Sequence, residues 1–197
     1  EGFSNDDFFS EELHKPYYDK IRNDNSLFVS VASYRDVECI KTLVDLFEKA
    51  DNPELIYVGI CQQNKNKNEE CVPKDFKYMD HIRVKNYTYK EALGPTYARY
   101  ICSHLWKGEQ YFMQIDSHSR FIKGWDTKLK NMYKKCESEK SILTHYPPSH
   151  GQYELILKNK VKPTHTCKAH FENNFHIISG ASGLKHHVDK PFITSYV

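Results

Sequence analysis

The feature that most constrains the fold is a regular alternation of strand-like and helix-like segments over residues 27–115. Residues 27–32 are β-branched and apolar, which predicts a buried first strand. Residues 55–60 have the same character and predict a second strand. Between them, apolar side chains recur at the spacing of one helical face: Val37, Ile40, Leu43, Val44 and Phe47. This succession predicts a βαβ unit with parallel strands.

The alternation continues through the next part of the chain. Residues 82–84 predict a short third strand. Gly94-Pro95 opens a second helix, because proline is tolerated in the first turn. The apolar face of this helix comprises Ala98, Ile101, Cys102 and Leu105. Residues 111–115 predict a fourth, buried strand. The whole order predicts an α/β fold, a Rossmann-like and mostly parallel sheet flanked by helices.

The rest of the chain is less regular. A third helix is expected from about Trp125. Strands are expected over residues 141–144 and 175–178, and a flexible turn over residues 179–183. The polar, low-complexity stretch 62–71 predicts a mobile loop.

Length and charge restrict the class of protein. The 197 residues suffice for one domain, and we expect residues 26–197 to form it after an N-terminal extension over residues 1–25. Hydrophobic content is only 39%, but 14 Tyr and 11 Phe supply large side chains to bury. The net charge of +2 is too small to indicate a nucleic acid or an anionic membrane as partner.

The six cysteines include no Cys-x-x-Cys pair, which argues against a zinc ribbon. Cys39 and Cys102 lie on apolar helix faces, so we expect them in the core. Cys61 precedes the polar stretch 62–71 and Cys71 ends it, and the two could form a disulfide.

The motifs that are absent exclude several catalytic classes. The sequence has no Walker loop and no Gly-x-Gly-x-x-Gly, which argues against a P-loop kinase and a dinucleotide dehydrogenase. It also lacks the Gly-x-Ser-x-Gly elbow of a serine hydrolase. A zinc-stabilised interaction domain built on His165, Cys167 and His170 is a weaker alternative, since their spacing matches no strong zinc motif.

The sharpest chemical feature is the polar end of the fourth strand. Asp116 and His118 stand directly after residues 111–115. Ligands of α/β sheets collect at the carboxyl ends of the strands, and a carboxylate with an imidazole can hold a divalent cation there. Such a cation would neutralise a phosphate. The alternative is that Asp116 caps a turn and that His118 is an ordinary loop histidine.

Three further residues suit a nucleotide. Arg99 lies off the apolar face of its helix and near the positive N-terminal end, where its guanidinium could reach a pyrophosphate. Arg35 and Asp36 directly follow the first strand, where a base or ribose would lie in such a fold. Asp36 also suits the N-cap of the first helix, and the two roles are compatible.

Five segments, in this order, resemble the family of polypeptide N-acetylglucosaminyltransferases. They are Val-Ser-Val-Ala-Ser-Tyr-Arg-Asp at residues 29–36, Ala98-Arg99, Gln-Ile-Asp-Ser-His-Ser-Arg-Phe at residues 114–121, Trp125-Asp126, and Leu-Thr-His-Tyr-Pro-Pro at residues 143–148. That family includes a cytoplasmic enzyme that adds GlcNAc to a hydroxyproline and Golgi relatives that act on threonine. The Asp-Ser-His step is also similar to that of the polypeptide GalNAc-transferases.

The resemblance implies a GT-A glycosyltransferase fold, UDP-GlcNAc as donor and retention at the anomeric carbon. It implies a divalent cation, Mn²⁺ ahead of Mg²⁺, with Asp116 and His118 as ligands. It implies a protein or peptide acceptor that presents a hydroxyproline, threonine or serine hydroxyl. The residues that it assigns to the nucleotide sugar are Ser33, Arg35, Asp36, Arg99, Gln114 and Asp116. The compartment stays open between the cytoplasm and the Golgi lumen, and no catalytic residue is assigned.

The chain departs from the family in one respect. The family has a Gly-Glu-Glu motif on the acceptor side and a later histidine that would complete the metal site, and neither is in this sequence. We therefore expect the family's C-terminal part to be missing. The alternatives are a transferase that uses another UDP-sugar, such as UDP-GalNAc, and a non-catalytic binding module on the same fold.

Overall fold

The computed structural model describes residues 21–138, 141–145, 147–158, 164–172, 176–183 and 191. The chain divides into two compact units. The first comprises Glu1–Glu48 with Asn52–Ser119, and the second comprises Lys49–Asp51 with Arg120–Val197. The predicted N-terminal extension lies mostly outside the described residues.

The described part of the first unit is built from parallel strands and two helices. Its strands are β1 (Leu27–Tyr34), β2 (Ile56–Asn64), β3 (Ile82–Thr88) and β4 (Tyr111–Asp116), and its helices are α1 (Cys39–Glu48) and α2 (Pro95–Ser103). The strands form one sheet in the order β3-β2-β1-β4, and every pairing is parallel. The predicted Rossmann-like α/β fold is therefore confirmed.

The core of this unit lies around β1, which has a neighbour on each side. Leu27 pairs with Ile56 of β2 and with Tyr111 of β4. Apolar side chains from β1, β2 and α1 are completely or almost completely buried: Phe28, Val29, Val58, Ile60, Leu46 and Phe47. Each contributes roughly 1.5–3 kcal/mol when fully buried. Gly59 of β2 is a glycine because a side chain there would collide with the Phe28 ring.

The fourth strand is less buried than predicted. Side chains of β4 alternate between partly buried and exposed, and Phe112 is 49% exposed. Within the described residues, β4 pairs with β1 alone. A strand with one covered face alternates in this way, whereas a parallel strand that is buried on both faces does not.

The stretch 62–71, predicted as a mobile loop, is structured instead. β2 continues to Asn64, and a turn of 3₁₀ helix spans Lys67–Glu69. The Glu69 side chain is buried and accepts a hydrogen bond from the Lys65 amide at 2.6 Å. Low complexity suggested mobility, but backbone amides satisfied by a buried carboxylate give this segment a defined conformation.

The disulfide prediction was wrong in its pairing. Cys71 is bonded to Cys39, the first residue of α1. Cys61 is a free thiol of β2 that packs beside Ala98 and Cys102 of α2 in the core. Cys61 thus packs against α2, whereas Cys71 is bonded to α1. Cys39 and Cys102 are buried, as predicted.

The described part of the second unit contains α3 (Trp125–Tyr133), α4 (Tyr153–Leu157) and an antiparallel pair of strands, β5 (Thr164–Glu172) and β6 (His176–Gly183). The helix expected from Trp125 is confirmed. Residues 179–183 lie in β6 and do not form the predicted turn, because small residues pair through the backbone as well as large ones. Residues 141–144 belong to no strand, which contradicts the prediction.

Trp125-Asp126, one of the segments in the resemblance, stabilises the start of α3. Asp126 is fully buried and its carboxylate accepts a hydrogen bond from the Asp51 amide at 2.8 Å. The rings of Phe121 and Trp125 lie 4.6 Å apart. Gly124, directly before Trp125, has φ 69°, a conformation that favours glycine. Each described helix of the protein falls short of the length and apolar character that a membrane span requires.

Candidate functional site at the carboxyl edge of the sheet

The strand order brings two distant parts of the sequence together. The chain runs from β1 outward to β2 and β3, and then returns to place β4 on the other side of β1. Parallel strands end at the same edge of a sheet, so the turn after β1 and the turn after β4 are neighbours. The point where the strand order reverses is where open α/β sheets bind ligands.

Asp36, in the turn after β1, joins these two turns. Its Oδ1 accepts a hydrogen bond from the Glu38 amide at 2.9 Å, which closes the turn before α1. Its Oδ2 accepts hydrogen bonds from Ser117 Oγ at 2.6 Å and from His118 Nδ1 at 2.9 Å. Burial raises the pKa of Asp36, but the hydrogen bonds from Ser117, His118 and Glu38 outweigh it, so the net pKa lies below its usual value. Asp36 is therefore an anion at neutral pH.

The contact with Asp36 orients the His118 ring. An ionised carboxylate only accepts hydrogen bonds, so Nδ1 is the donor and carries a proton. In the neutral ring, Nε2 then holds the lone pair. This carboxylate–histidine arrangement is the one that metal-binding histidines usually have. The His118 side chain is 54% exposed, so the ring is not enclosed by packing.

Asp116, the last residue of β4, faces α2. Its Oδ1 accepts a hydrogen bond from Arg99 Nη2 at 3.0 Å, and its side chain is 59% exposed. An ion pair this exposed contributes at most about 1 kcal/mol to stability, so folding does not require it. Gln114 is also exposed and lies on the same face of β4 as Asp116, two residues earlier.

The conformation of the turn after β4 depends on Thr42, a residue that the sequence pattern did not indicate. Thr42 of α1 is buried, and its hydroxyl lies 2.6 Å from the Ser117 carbonyl oxygen and 3.0 Å from that of Ser119. Ser119 Oγ donates to the Asp116 carbonyl oxygen at 2.8 Å. No sequence signal marked Thr42, because its role depends on α1 lying under a turn that is 75 residues away in sequence.

Ser33 and Arg35 lie at the end of β1 toward β2. Ser33 is fully buried, and its hydroxyl has no hydrogen-bond partner among the described residues. Arg35 has φ 51°, and its amide donates to the Gln63 carbonyl oxygen at 3.2 Å. Its guanidinium lies 5.5 Å from the centroid of the Tyr89 ring and its Nε 3.5 Å from Glu69 Oε1.

A shallow cavity of about 250 Å³ opens at the ends of β2 and β3. It lies on the β2 side of β1, whereas Asp116 and His118 lie on the β4 side. Its lining is mostly carboxamides and lysines: Gln62, Asn64, Lys65, Asn66, Lys67, Glu70, Asn86 and Tyr87. Both polar side-chain atoms of Asn64 are buried without a hydrogen-bond partner among the described residues.

The predicted site residues thus form two groups. Four of them lie at the β1–β4 edge. There Asp36 contacts His118, and Asp116 contacts Arg99. The described contacts of Arg35 are instead with Gln63 of β2, with Glu69, and with Tyr89, which follows β3.

The residues present fit a divalent cation in their donor chemistry, since a carboxylate and an imidazole oriented by a second carboxylate suit Mn²⁺. Among the described residues, no group of three or more His, Cys, Asp or Glu side chains is arranged as a complete metal site. His165, Cys167 and His170 lie in β5, whose side chains the structure does not describe, so the zinc alternative stays untested.

Comparison with known proteins identified a matching family. The model of a family described as Glycosyltransferase (GlcNAc) matches residues 26–79 and 72–197. Comparisons with curated proteins and with solved structures found no match. The two matched segments together include Ser33, Arg35, Asp36, Arg99 and the whole of β4.

Proposed function

Because the chain belongs to the GlcNAc glycosyltransferase family, a family of enzymes that transfer glycosyl groups, we propose that it moves GlcNAc from UDP-GlcNAc to a hydroxyl group of a protein. The acceptor hydroxyl belongs to a hydroxyproline, a threonine or a serine. The reaction depends on a divalent cation, and the product retains the anomeric configuration of the donor. The fold is of the GT-A type.

One observation supports this proposal above the others. Asp36 contacts His118, and Arg99 contacts Asp116, at the edge where the strand order reverses. At that edge Asp116 and His118 could bind a cation, and Arg99 supplies a guanidinium. Both positive charges suit a nucleoside diphosphate, whose negative charge must be neutralised. The exposure of Asp116 and His118, at 59% and 54% of their side chains, leaves both accessible to a ligand.

The roles of the residues follow from their chemistry. Asp116 and His118 would hold the cation, and Asp36 would keep the His118 ring in the tautomer that presents Nε2. The cation, Mn²⁺ ahead of Mg²⁺, would offset the negative charge that develops on the β-phosphate as UDP leaves. Arg99 would donate hydrogen bonds to diphosphate oxygens, for which its planar guanidinium is well shaped.

The test is isothermal titration of UDP into the purified protein with and without Mn²⁺, followed by an assay of UDP release from UDP-GlcNAc and from UDP-GalNAc. We expect UDP to bind in the presence of Mn²⁺ and to bind much less after EDTA. Equal affinity under both conditions, or no binding, would refute metal dependence. Faster UDP release from UDP-GalNAc than from UDP-GlcNAc would identify UDP-GalNAc as the donor.

The same assays distinguish the alternative of a non-catalytic binding module. Such a module would bind UDP in the titration but would release none from either UDP-sugar, with or without a hydroxyproline or threonine peptide. A transferase would release UDP faster when the acceptor peptide is present than when only water is available.

A further inference from the structure

Glu69 is a buried acid that the proposed reaction does not use. It is 4% exposed, and its carboxylate accepts hydrogen bonds from the amides of Lys65 at 2.6 Å and Asn66 at 3.2 Å. The Asn66 side-chain amide lies 3.3 Å from Oε1. A buried carboxylate needs such partners, because an unpaired charge is costly away from water. Glu69 also has a described partner from outside this local turn, the cationic side chain of Arg35.

Arg35 is restrained from three directions at the end of β1. Its backbone is left-handed, with φ 51°, and its amide donates to the Gln63 carbonyl oxygen. Its Nε lies 3.5 Å from Glu69 Oε1, and its guanidinium lies 5.5 Å from the Tyr89 ring centroid. The salt bridge involves Nε, so within the described part of the chain the two Nη groups, with four of the five N–H donors of an arginine, are left for a ligand. The Arg35 side chain is 42% exposed, so a ligand can reach it.

The Cys39–Cys71 disulfide holds Glu69 in this place. Cys71 follows Glu69 by two residues and is bonded to the first residue of α1. The Cys71 amide also donates to Gln62 Oε1 at 3.0 Å. The C-terminal end of the segment that contains Glu69 is therefore fixed twice through Cys71, and the disulfide links it to the helix that follows Arg35.

We propose that Glu69 is a positioning residue for the nucleotide part of the donor, because it holds the Arg35 guanidinium at the carboxyl end of β1. This inference rests on the proposed function, since the ligand of Arg35 is the UDP of the donor. Glu69 itself is buried and does not touch UDP. It acts through Arg35, so its effect on UDP binding requires Arg35 to be present.

A purely structural role for Glu69 would be to accept the amides of its own 3₁₀ turn. Glu69→Gln separates the two roles. Glutamine keeps an Oε1 that can accept the amides of Lys65 and Asn66, but it removes the negative charge that attracts Arg35 and adds an NH₂ that repels its donors. Glu70→Gln is a matched control, because it removes the adjacent charge at an exposed residue.

The experiment is titration of UDP in the presence of Mn²⁺ into the wild type, Glu69→Gln, Arg35→Gln, the double variant and Glu70→Gln. Thermal unfolding of each is measured in parallel. We expect Glu69→Gln to weaken UDP binding about fivefold, with the same factor in the KM for UDP-GlcNAc and little change in kcat. Arg35→Gln and the double variant should bind UDP equally, because Glu69 has nothing left to position. Glu70→Gln should bind like the wild type.

The outcomes that overturn the inference are distinct from those that overturn the function. If the wild type binds UDP but Glu69→Gln binds it equally well, Glu69 has no positioning role. The same holds if Glu69→Gln loses a further fivefold in the Arg35→Gln background. A wild type that binds no UDP overturns the proposed function and this inference together. If Glu69→Gln does not fold, Arg35→Lys replaces it, since lysine keeps the charge without the planar fork. Wild-type affinity in that variant would overturn the inference.

Discussion

Oδ2 of Asp36 lies 2.9 Å from Nδ1 of His118, although the two residues are 82 positions apart in sequence. One follows β1 and the other follows β4, and these strands are neighbours in the sheet. The contact makes the orientation of the imidazole depend on a carboxylate from another turn. Ser117 donates to the same oxygen, at 2.6 Å.

Asp36→Asn tests this dependence. The amide cannot attract the His118 ring as an anion does, and its NH₂ competes with Nδ1 as a donor. We expect Mn²⁺ affinity to fall about 10- to 100-fold, the usual cost of losing the carboxylate behind a metal-binding histidine. Titration of Mn²⁺ followed by electron paramagnetic resonance measures it. Ser117→Ala is the control, because it keeps the Asp36–His118 contact, and equal affinities in both variants would contradict the prediction.

Asp116→Asn and His118→Ala test the two proposed metal ligands directly. Each should abolish the difference in UDP affinity between Mn²⁺ and EDTA, and each should leave thermal stability nearly unchanged because both side chains are exposed. Titration calorimetry of UDP is the measurement. Asp80→Asn, which removes an exposed carboxylate outside the site, serves as the matched control. Retention of Mn²⁺ dependence in Asp116→Asn would exclude this residue as a ligand.

Glu109 lies at the edge of the sheet opposite the candidate site. It should make the stability of the protein depend on pH. Its carboxylate is buried, and it accepts hydrogen bonds from Arg83 Nη2 at 2.6 Å and the Lys107 amide at 2.8 Å. Burial raises the pKa of Glu109, but these hydrogen bonds outweigh it and bring the net pKa below the usual value of 4.5. The folded pKa is thus lower than the unfolded pKa. The resulting stability is present above the unfolded pKa and is lost as pH falls through the folded one.

Glu109→Gln should therefore lower stability at pH 7 by about 3 kcal/mol, because Arg83 loses a buried partner. It should also reduce the loss of stability on going from pH 7 to acid. Urea unfolding at both pH values measures the two effects. Glu54→Gln, an exposed residue, is the control, and an unchanged acid dependence in Glu109→Gln would show that other carboxylates dominate.

The Cys39–Cys71 disulfide closes a loop with a sequence separation of 32 residues. Replacing both cysteines by serine should lower the free energy of unfolding by about 2–4 kcal/mol, chiefly because the unfolded chain regains freedom. Urea unfolding under non-reducing conditions measures it. Cys136→Ser, at a free and partly exposed cysteine, is the control and should have little effect. Alkylation of Cys39 or Cys71 in the unreduced, denatured protein would contradict the pairing.

The local pattern of residues was enough to predict the elements of the first unit. Apolar, β-branched residues at 27–32 and helical spacing from Val37 to Phe47 depend only on near neighbours in the chain, and the structure has β1 and α1 there. The alternation of such segments was also enough for the parallel α/β sheet. Asp116 and His118 could be proposed because they stand at the end of a strand.

Contacts between distant segments could not be predicted in this way. Three contacts join residues from segments that are distant in sequence: Cys39 with Cys71, Asp36 with His118, and Arg35 with Glu69. Each depends on which strand lies beside β1 and on how each turn folds over the sheet edge. Spacing along the chain describes only neighbours within one segment, whereas these contacts arise when whole segments pack to bury their apolar faces.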